Sequence, residues 1–351
     1  YRRCCGGSWV WISRLKPLLQ PLLWALPRGM GWLGLGFLML GSVWWVLPVA
    51  CLLTAGLCLA LVPVATRLGL VDHPGVRKVH ETVTPLTGGA ALLITLSLVG
   101  AWWLTADRFV QALFAGGVLM FGVGLVDDRK GLTAAVRFLV QVIACAIMMA
   151  WADVRLNDFG PLFTPSVLEL GLLSAPVTIF AALGVINSFN LIDGMDGLGG
   201  SIFIVAALGM ALFAALASQF QMLWPLLLCS AAVFGFLLLH ARFPWHLRAR
   251  VCLGDSGSML LGFLLAWFFI ALGNDRPYAA ERAFMPMTAV WLFAVPLLDT
   301  TTQIWRRRRA GLPIFGADQH HLHHAFLRAG FTVAQTWLCL LYTSDAADER
   351  G

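Results

Sequence analysis

From residue 46 onward, long apolar runs alternate with short polar breaks. An α-helix needs roughly 17 to 25 predominantly apolar residues to cross a hydrocarbon core. Runs of that kind fall near 46–66, 88–105, 109–126, 133–151, 173–189, 200–218, 222–240, 258–273 and 284–304, and another starts at 331 but breaks off at Tyr342. Helix is the expected state throughout, because a segment in lipid has to satisfy its own backbone hydrogen bonds. The pattern predicts an all-α, polytopic integral membrane protein, with 46–341 as one multi-span domain. Residues 1–45 read as a basic and apolar N-terminal extension with room for an extra span, without the layout of a cleavable signal peptide. Residues 342–351 read as a polar tail, truncated or foreign to the fold.

Composition agrees with a bilayer as solvent: 59% of the 351 residues are hydrophobic and 12% charged, against roughly 45–50% and 25% in soluble domains. The net charge of +6 would raise the question of nucleic acid in a soluble protein. Here the basic residues sit in short breaks between spans, where they set orientation, and no nucleic-acid partner is expected. The eight cysteines form no CxxC pair, and those within apolar runs read as small core residues. If the first span runs inward, the breaks around 67–87, 127–132, 190–199, 241–257 and 305–330 share one side. That side holds most of the Arg and Lys, including Arg306 to Arg309, while the other has only Arg108, Arg155, Arg276 and Arg282. The positive-inside rule makes the first side cytoplasmic.

The unusual polar residues follow the same parity and gather at that cytoplasmic side. Asp127-Asp128 ends one apolar run ahead of Arg129-Lys130. The pair reads either as a solvated helix end or as hard oxygen ligands for a divalent cation. Asn187, Asn190, Asp193 and Asp196 recur every third residue into Gly197-Leu-Gly-Gly, too wide a spread for one narrow helix face, so the helix is expected to end near Asn190 and the glycines to fold the carboxylates inward. Gly254-Asp255-Ser256-Gly257-Ser258 precedes a span, which suits N-capping, anion binding and a metal-ligating carboxylate together. Asp318-Gln-His320-His321-Leu-His323-His324 follows the Arg run, which is read as a topology signal. With no cysteine beside them, the histidines read as donors to phosphate or a leaving nucleotide, a transition metal being the competing reading. Asp72 through Lys78 and His80 make a basic, Pro-containing stretch, either a connector or a contact for an anionic lipid headgroup or diphosphate.

Together these segments resemble the polyprenyl-phosphate N-acetylhexosamine-1-phosphate transferases of glycosyltransferase family 4, and within them the WecA-type branch that loads N-acetylglucosamine phosphate onto undecaprenyl phosphate. The resemblance runs in order from about Leu70 to Gln335. It implies about ten or eleven spans, an active site at the cytoplasmic face of a bacterial inner membrane, and a UDP-HexNAc and a polyprenyl phosphate lipid as partners; a homodimer stays open. Asp127, Asp128, Asn187, Asn190, Asp193, Asp196 and Asp255 match the residues that line the family's magnesium and nucleotide-sugar site. The roles expected are Asp255 for Mg2+, or Mn2+ in its place, and Asp127 or Asp128 as a base that is useful rather than essential. Asn187, Asn190, Asp193 and Asp196 are expected to hold the nucleotide-sugar, and His321, His323 and His324 the diphosphate. The cell-wall relative, phospho-N-acetylmuramoyl-pentapeptide transferase, carries an uninterrupted triple His, whereas Leu322 interrupts it here. Gln319 and His240 depart from the common pattern, where Arg and Asn are usual. A polytopic transporter is the alternative from another class, but such proteins place coupling residues near the midplane of repeated halves, and no repeat is seen here.

Overall fold

The computed structural model describes residues 44–72, 83–104, 107–161, 167–242, 248–274, 282–313 and 321–345. Lys78 and His80 lie outside the described residues, as do Asp318, Gln319, His320, most of the N-terminal extension and the end of the tail.

The described chain is mostly helical. The first apolar run forms α1 (Val46–Ala60) and α2 (Val62–Arg67). A two-stranded antiparallel pair, β1 (Val71–Asp72) and β2 (Thr84–Pro85), precedes α3 (Gly88–Leu104). Then come α4 (Arg108–Lys130), α5 (Ala134–Ala152), α6 (Ser174–Ile192), α7 (Leu198–Leu216), α8 (Phe220–His240) and α9 (Gly254–Leu272). Among the described residues, seven helical segments are long and apolar enough to cross a membrane. They are α1 continued into α2, α4, α5, α6 with the short 3-10 turn before it, α7, α8 and α9. α3 is apolar over a shorter stretch, Gly88–Gly100.

The run expected as one span over 284–304 differs. It forms α10 (Pro286–Leu292) and α11 (Ala294–Arg309), broken at Phe293. Pro296 has no N–H to donate to Leu292, so a helix restarted at Ala294 places it in the first turn, where that donor is not needed. α11 is also not apolar all round: Pro296, Asp299, Gln303 and Arg307 are buried along one face, while Leu298, Ile304 and Trp305 are exposed. α12 (Leu322–Arg328) and α13 (Val333–Asp345) complete the described chain.

α9 is the hub. Only Gly254, Asp255 and Ala271 of its residues are part-exposed, as befits a helix that is apolar on every side. It packs against α4, α6, α3 and α7. Small residues let these backbones approach, the usual device where lipid offers no hydrophobic drive between helices. A Cβ on Gly124 of α4 would land on the backbone of Asp255 and Ser256, and one on Gly89 of α3 would lie 2.6 Å from the Gly257 nitrogen. In the apolar surroundings of α1 and α3, Thr54 donates to Thr95 at 3.0 Å, both fully buried.

Candidate active site

The C-terminal ends of α4, α6 and α8 and the N-terminal ends of α3, α7 and α9 meet at one end of the bundle. α9 has no side-chain cap of its own, since Leu253 precedes it. Asp128, from the end of α4, supplies one: Oδ1 accepts the Asp255 N–H at 2.7 Å and Oδ2 the Ser256 N–H at 3.0 Å. Two of the donors that every helix start leaves open are thereby satisfied, at the positive end of the α9 dipole. Gly254 makes room for this. Its φ of +74° is costly for other residues, and a Cβ there would lie 2.7 Å from Asp128 Oδ2. From the end of α6, Asn190 Nδ2 donates to Asp255 Oδ1 at 2.8 Å and to Ser258 Oγ at 2.7 Å. Asp128, Asn190 and Asp255 thus form one hydrogen-bonded knot, with Asp128 and Asp255 both part-exposed.

The other acidic residues divide. Asp127 is buried and turned to local work: Oδ1 accepts the Leu132 N–H at 2.6 Å and Oδ2 pairs with Arg137 Nη1 at 3.0 Å, which fixes the turn from α4 to α5. Asn187 Nδ2 donates to Gln141 Oε1 on α5 at 2.8 Å and to the Leu183 carbonyl at 2.8 Å. Asp193 ends α6, part-exposed, and a Cβ on Gly199 would collide with its carboxylate. Asp196 has a fully buried side chain paired with Arg242 Nε at 2.7 Å, which ties the start of α7 to the chain leaving α8. His240 Nδ1 lies 2.8 Å from the Val251 carbonyl, and its ring stacks on Phe236.

The histidine segment comes in against this end through α12. His321 and His323 stack with centroids 5.8 Å apart and planes 7° from parallel, and His323 and His324 lie 4.2 Å apart. His323 packs on Gly194, beside Asp193. Burial, then the neighbouring His324 and His321, push its ring pKa down to about 3, and both of its ring nitrogens are buried without a hydrogen-bond partner among the described residues.

The sequence reading missed Gln141, Arg242 and Asp299. Gln141 and Asp299 are polar residues inside apolar runs, which is itself a signal. Arg242 follows an apolar run and looked like any orienting charge.

Residues 110–273 match the family model described as glycosyl transferase family 4. The chain is 33% identical over 281 residues to the undecaprenyl-phosphate alpha-N-acetylglucosaminyl 1-phosphate transferase of Salmonella typhi, covering 79% of this chain and 74% of that protein. The proteins of the same name from Yersinia pestis and Escherichia coli (strain K12) are 34% identical over 283 residues and 32% over 291, again covering 79% and 74%. The chain belongs to glycosyl transferase family 4. This family 4 transferase is a multi-pass membrane protein, and the matched region runs from α4 through α9, so it takes in the Asp128–Asn190–Asp255 knot.

Proposed function

We propose that this family 4 transferase moves N-acetylglucosamine 1-phosphate from UDP-N-acetylglucosamine to undecaprenyl phosphate, releasing UMP and starting a lipid-linked glycan. The observation that carries the reading is the knot of Asp128, Asn190 and Asp255 on the start of α9, within a chain whose relatives bear that name. An oxygen of the lipid phosphate attacks the β-phosphorus of the donor. The bond from that phosphorus to the oxygen bridging to the α-phosphate breaks, and the sugar keeps its anomeric bond. Converging negative charge is the main obstacle, so positioning and neutralisation supply most of the catalysis.

Mg2+, or Mn2+ in its place, fits the donor set. Asp128 accepts the Asp255 backbone N–H, so two part-exposed carboxylates stand at one helix start, and magnesium is commonly bound through one or two carboxylates, with phosphates and water as the remaining ligands. When bound, the cation would offset charge on the donor diphosphate. Asp255 is the ligand of first choice. Asn190 orients it, and Asp128 fixes the helix start beneath it while remaining available to take a proton from the lipid phosphate. That phosphate is already largely dianionic at neutral pH, its second pKa being about 6, so the base is useful rather than essential. Asn187 and Asp193 bound the nucleotide-sugar side, Asp196 holds its floor, and His321 and His324 face the diphosphate with the buried His323 packed against them. Lys78 and His80 serve the lipid headgroup. The site faces the cytoplasm of a bacterial inner membrane, in a fold of about ten or eleven spans, active alone or as a homodimer.

The test is a purified-protein assay with undecaprenyl phosphate and a panel of UDP-sugars, following UMP and organic-phase sugar. UDP-N-acetylglucosamine should be the preferred donor, EDTA should abolish transfer, and Mg2+ or Mn2+ should restore it. Preference for the muramoyl-pentapeptide donor would move the chain to the cell-wall branch, and full turnover in excess EDTA would remove the metal.

A further inference from the structure

Asp299 follows the short apolar stretch that opens α11 and is buried, where a carboxylate is retained only against a partner. Its side chain is 1% exposed, and both of its oxygens are committed to the histidine segment. Oδ2 lies 2.8 Å from His321 Nδ1, and Oδ1 accepts the Leu322 N–H at 2.9 Å. His321 is the residue that precedes α12 and makes no side-chain cap itself, so Asp299 caps that helix from outside while gripping the ring before it. A carboxylate can only accept, so the proton sits on Nδ1 and Nε2 is left for whatever the ring meets. Nε2 is then an acceptor in the neutral ring and a donor in the protonated one. The parallel stack carries the constraint onward: His321 lies on His323, and His323 on Gly194 next to Asp193. Asp299 stands at the far end of a column that reaches the acidic turn between α6 and α7.

We infer that Asp299 is a positioning residue for the transfer, setting through His321 the tautomer and orientation of the histidines that meet the donor diphosphate. The inference rests on the proposed function for its kinetic part. Groups that orient a functional imidazole through its second nitrogen typically matter 10–100-fold, by analogy with carboxylates behind metal-bound histidines.

Asp299→Asn keeps the size but cannot accept at both contacts, because one side of an amide is a donor. With UDP-N-acetylglucosamine as donor, kcat should fall about 10–100-fold, with the KM for undecaprenyl phosphate unchanged. The control is a double-mutant cycle with His321→Gln. If Asp299 works through His321, Asp299→Asn should cost less than about 2-fold in the His321→Gln background; an equal loss in both backgrounds would reduce Asp299 to a helix cap and overturn the inference. A second readout is independent of turnover. Nitrogen-15 NMR of histidine-labelled wild-type protein, with His321 assigned by its absence in His321→Gln, should show His321 protonated at Nδ1. A neutral ring carrying its proton on Nε2 would overturn the inference. If the wild-type protein transfers no sugar phosphate from any UDP-HexNAc, the functional reading falls, and the ring measurement still decides whether Asp299 sets the tautomer.

Discussion

Two adjacent carboxylates, Asp127 and Asp128, have the same chemistry in the sequence and different work in the fold. Asp127 turns to Leu132 and Arg137, and Asp128 reaches across to the start of α9. Neighbours on a helix point about 100° apart, so no sequence pattern could assign both to one site. Asp255 is the residue on which the metal proposal turns. Asp255→Asn keeps its size and removes its charge, and should lower kcat by about 100-fold or more while the protein elutes from size exclusion as before; near wild-type turnover would shift the ligand to another carboxylate. His323 makes a prediction of a different kind. Its pKa falls from 6.5 to about 3 on folding, so below pH 6.5 the unfolded chain takes up a proton that the folded ring refuses. The stability this neutral ring contributes is complete above pH 6.5 and is lost as pH falls from there toward 3, at about 1.4 kcal/mol per unit. His321, His324 and Asp299 face the same pocket, so the comparison has to be with His323→Leu. Melting curves from pH 7 to pH 5 should drop more steeply for the wild type than for that variant, and parallel drops would contradict the buried neutral ring.

At the scale of elements, the contact of α4 with α9 decides whether the site exists. Gly254 starts α9 with a backbone that a side chain adopts at a cost of about 1–2 kcal/mol, and a Cβ there would push on the Asp128 carboxylate. Gly69 has a similar φ of +69° with nothing within 4 Å of a Cβ. Gly254→Ala should therefore lose transfer about 10-fold or more, whereas Gly69→Ala, with the same strain in open space, should lose stability only. Equal activity in the two variants would show that Asp128 need not be where it is. The histidine segment belongs to this scale as well: α11 and α12 are separate short helices, and Asp299 binds one to the other.

For the whole molecule the question is sidedness. The polar helix ends collect at one face, with Arg129, Lys130, Arg137 and Arg242 at the same one, against Arg108, Arg155 and Arg282 at the other. Lys130 is exposed at that end and Asp153 at the opposite one, so each replaced by Cys in a cysteine-free background gives a clean label. Lys130→Cys should react with impermeant reagent only from the cytoplasm and Asp153→Cys only from outside; the reverse would invert the orientation. The helical, multi-span character and the one-sided clustering of Asp128, Asn190, Asp255 and the histidines were legible in the sequence, because bilayer thickness dictates run length and the cost of polar groups in lipid confines them to span ends. The break at Phe293, the buried polar face of α11, the pairing of Asp196 with Arg242 and of Asn187 with Gln141, and the capping of α9 by Asp128 were not. The three pairings join residues 46 to 128 positions apart. Local periodicity says which residues must leave the lipid, and only the packing of helix upon helix decides which of them touch.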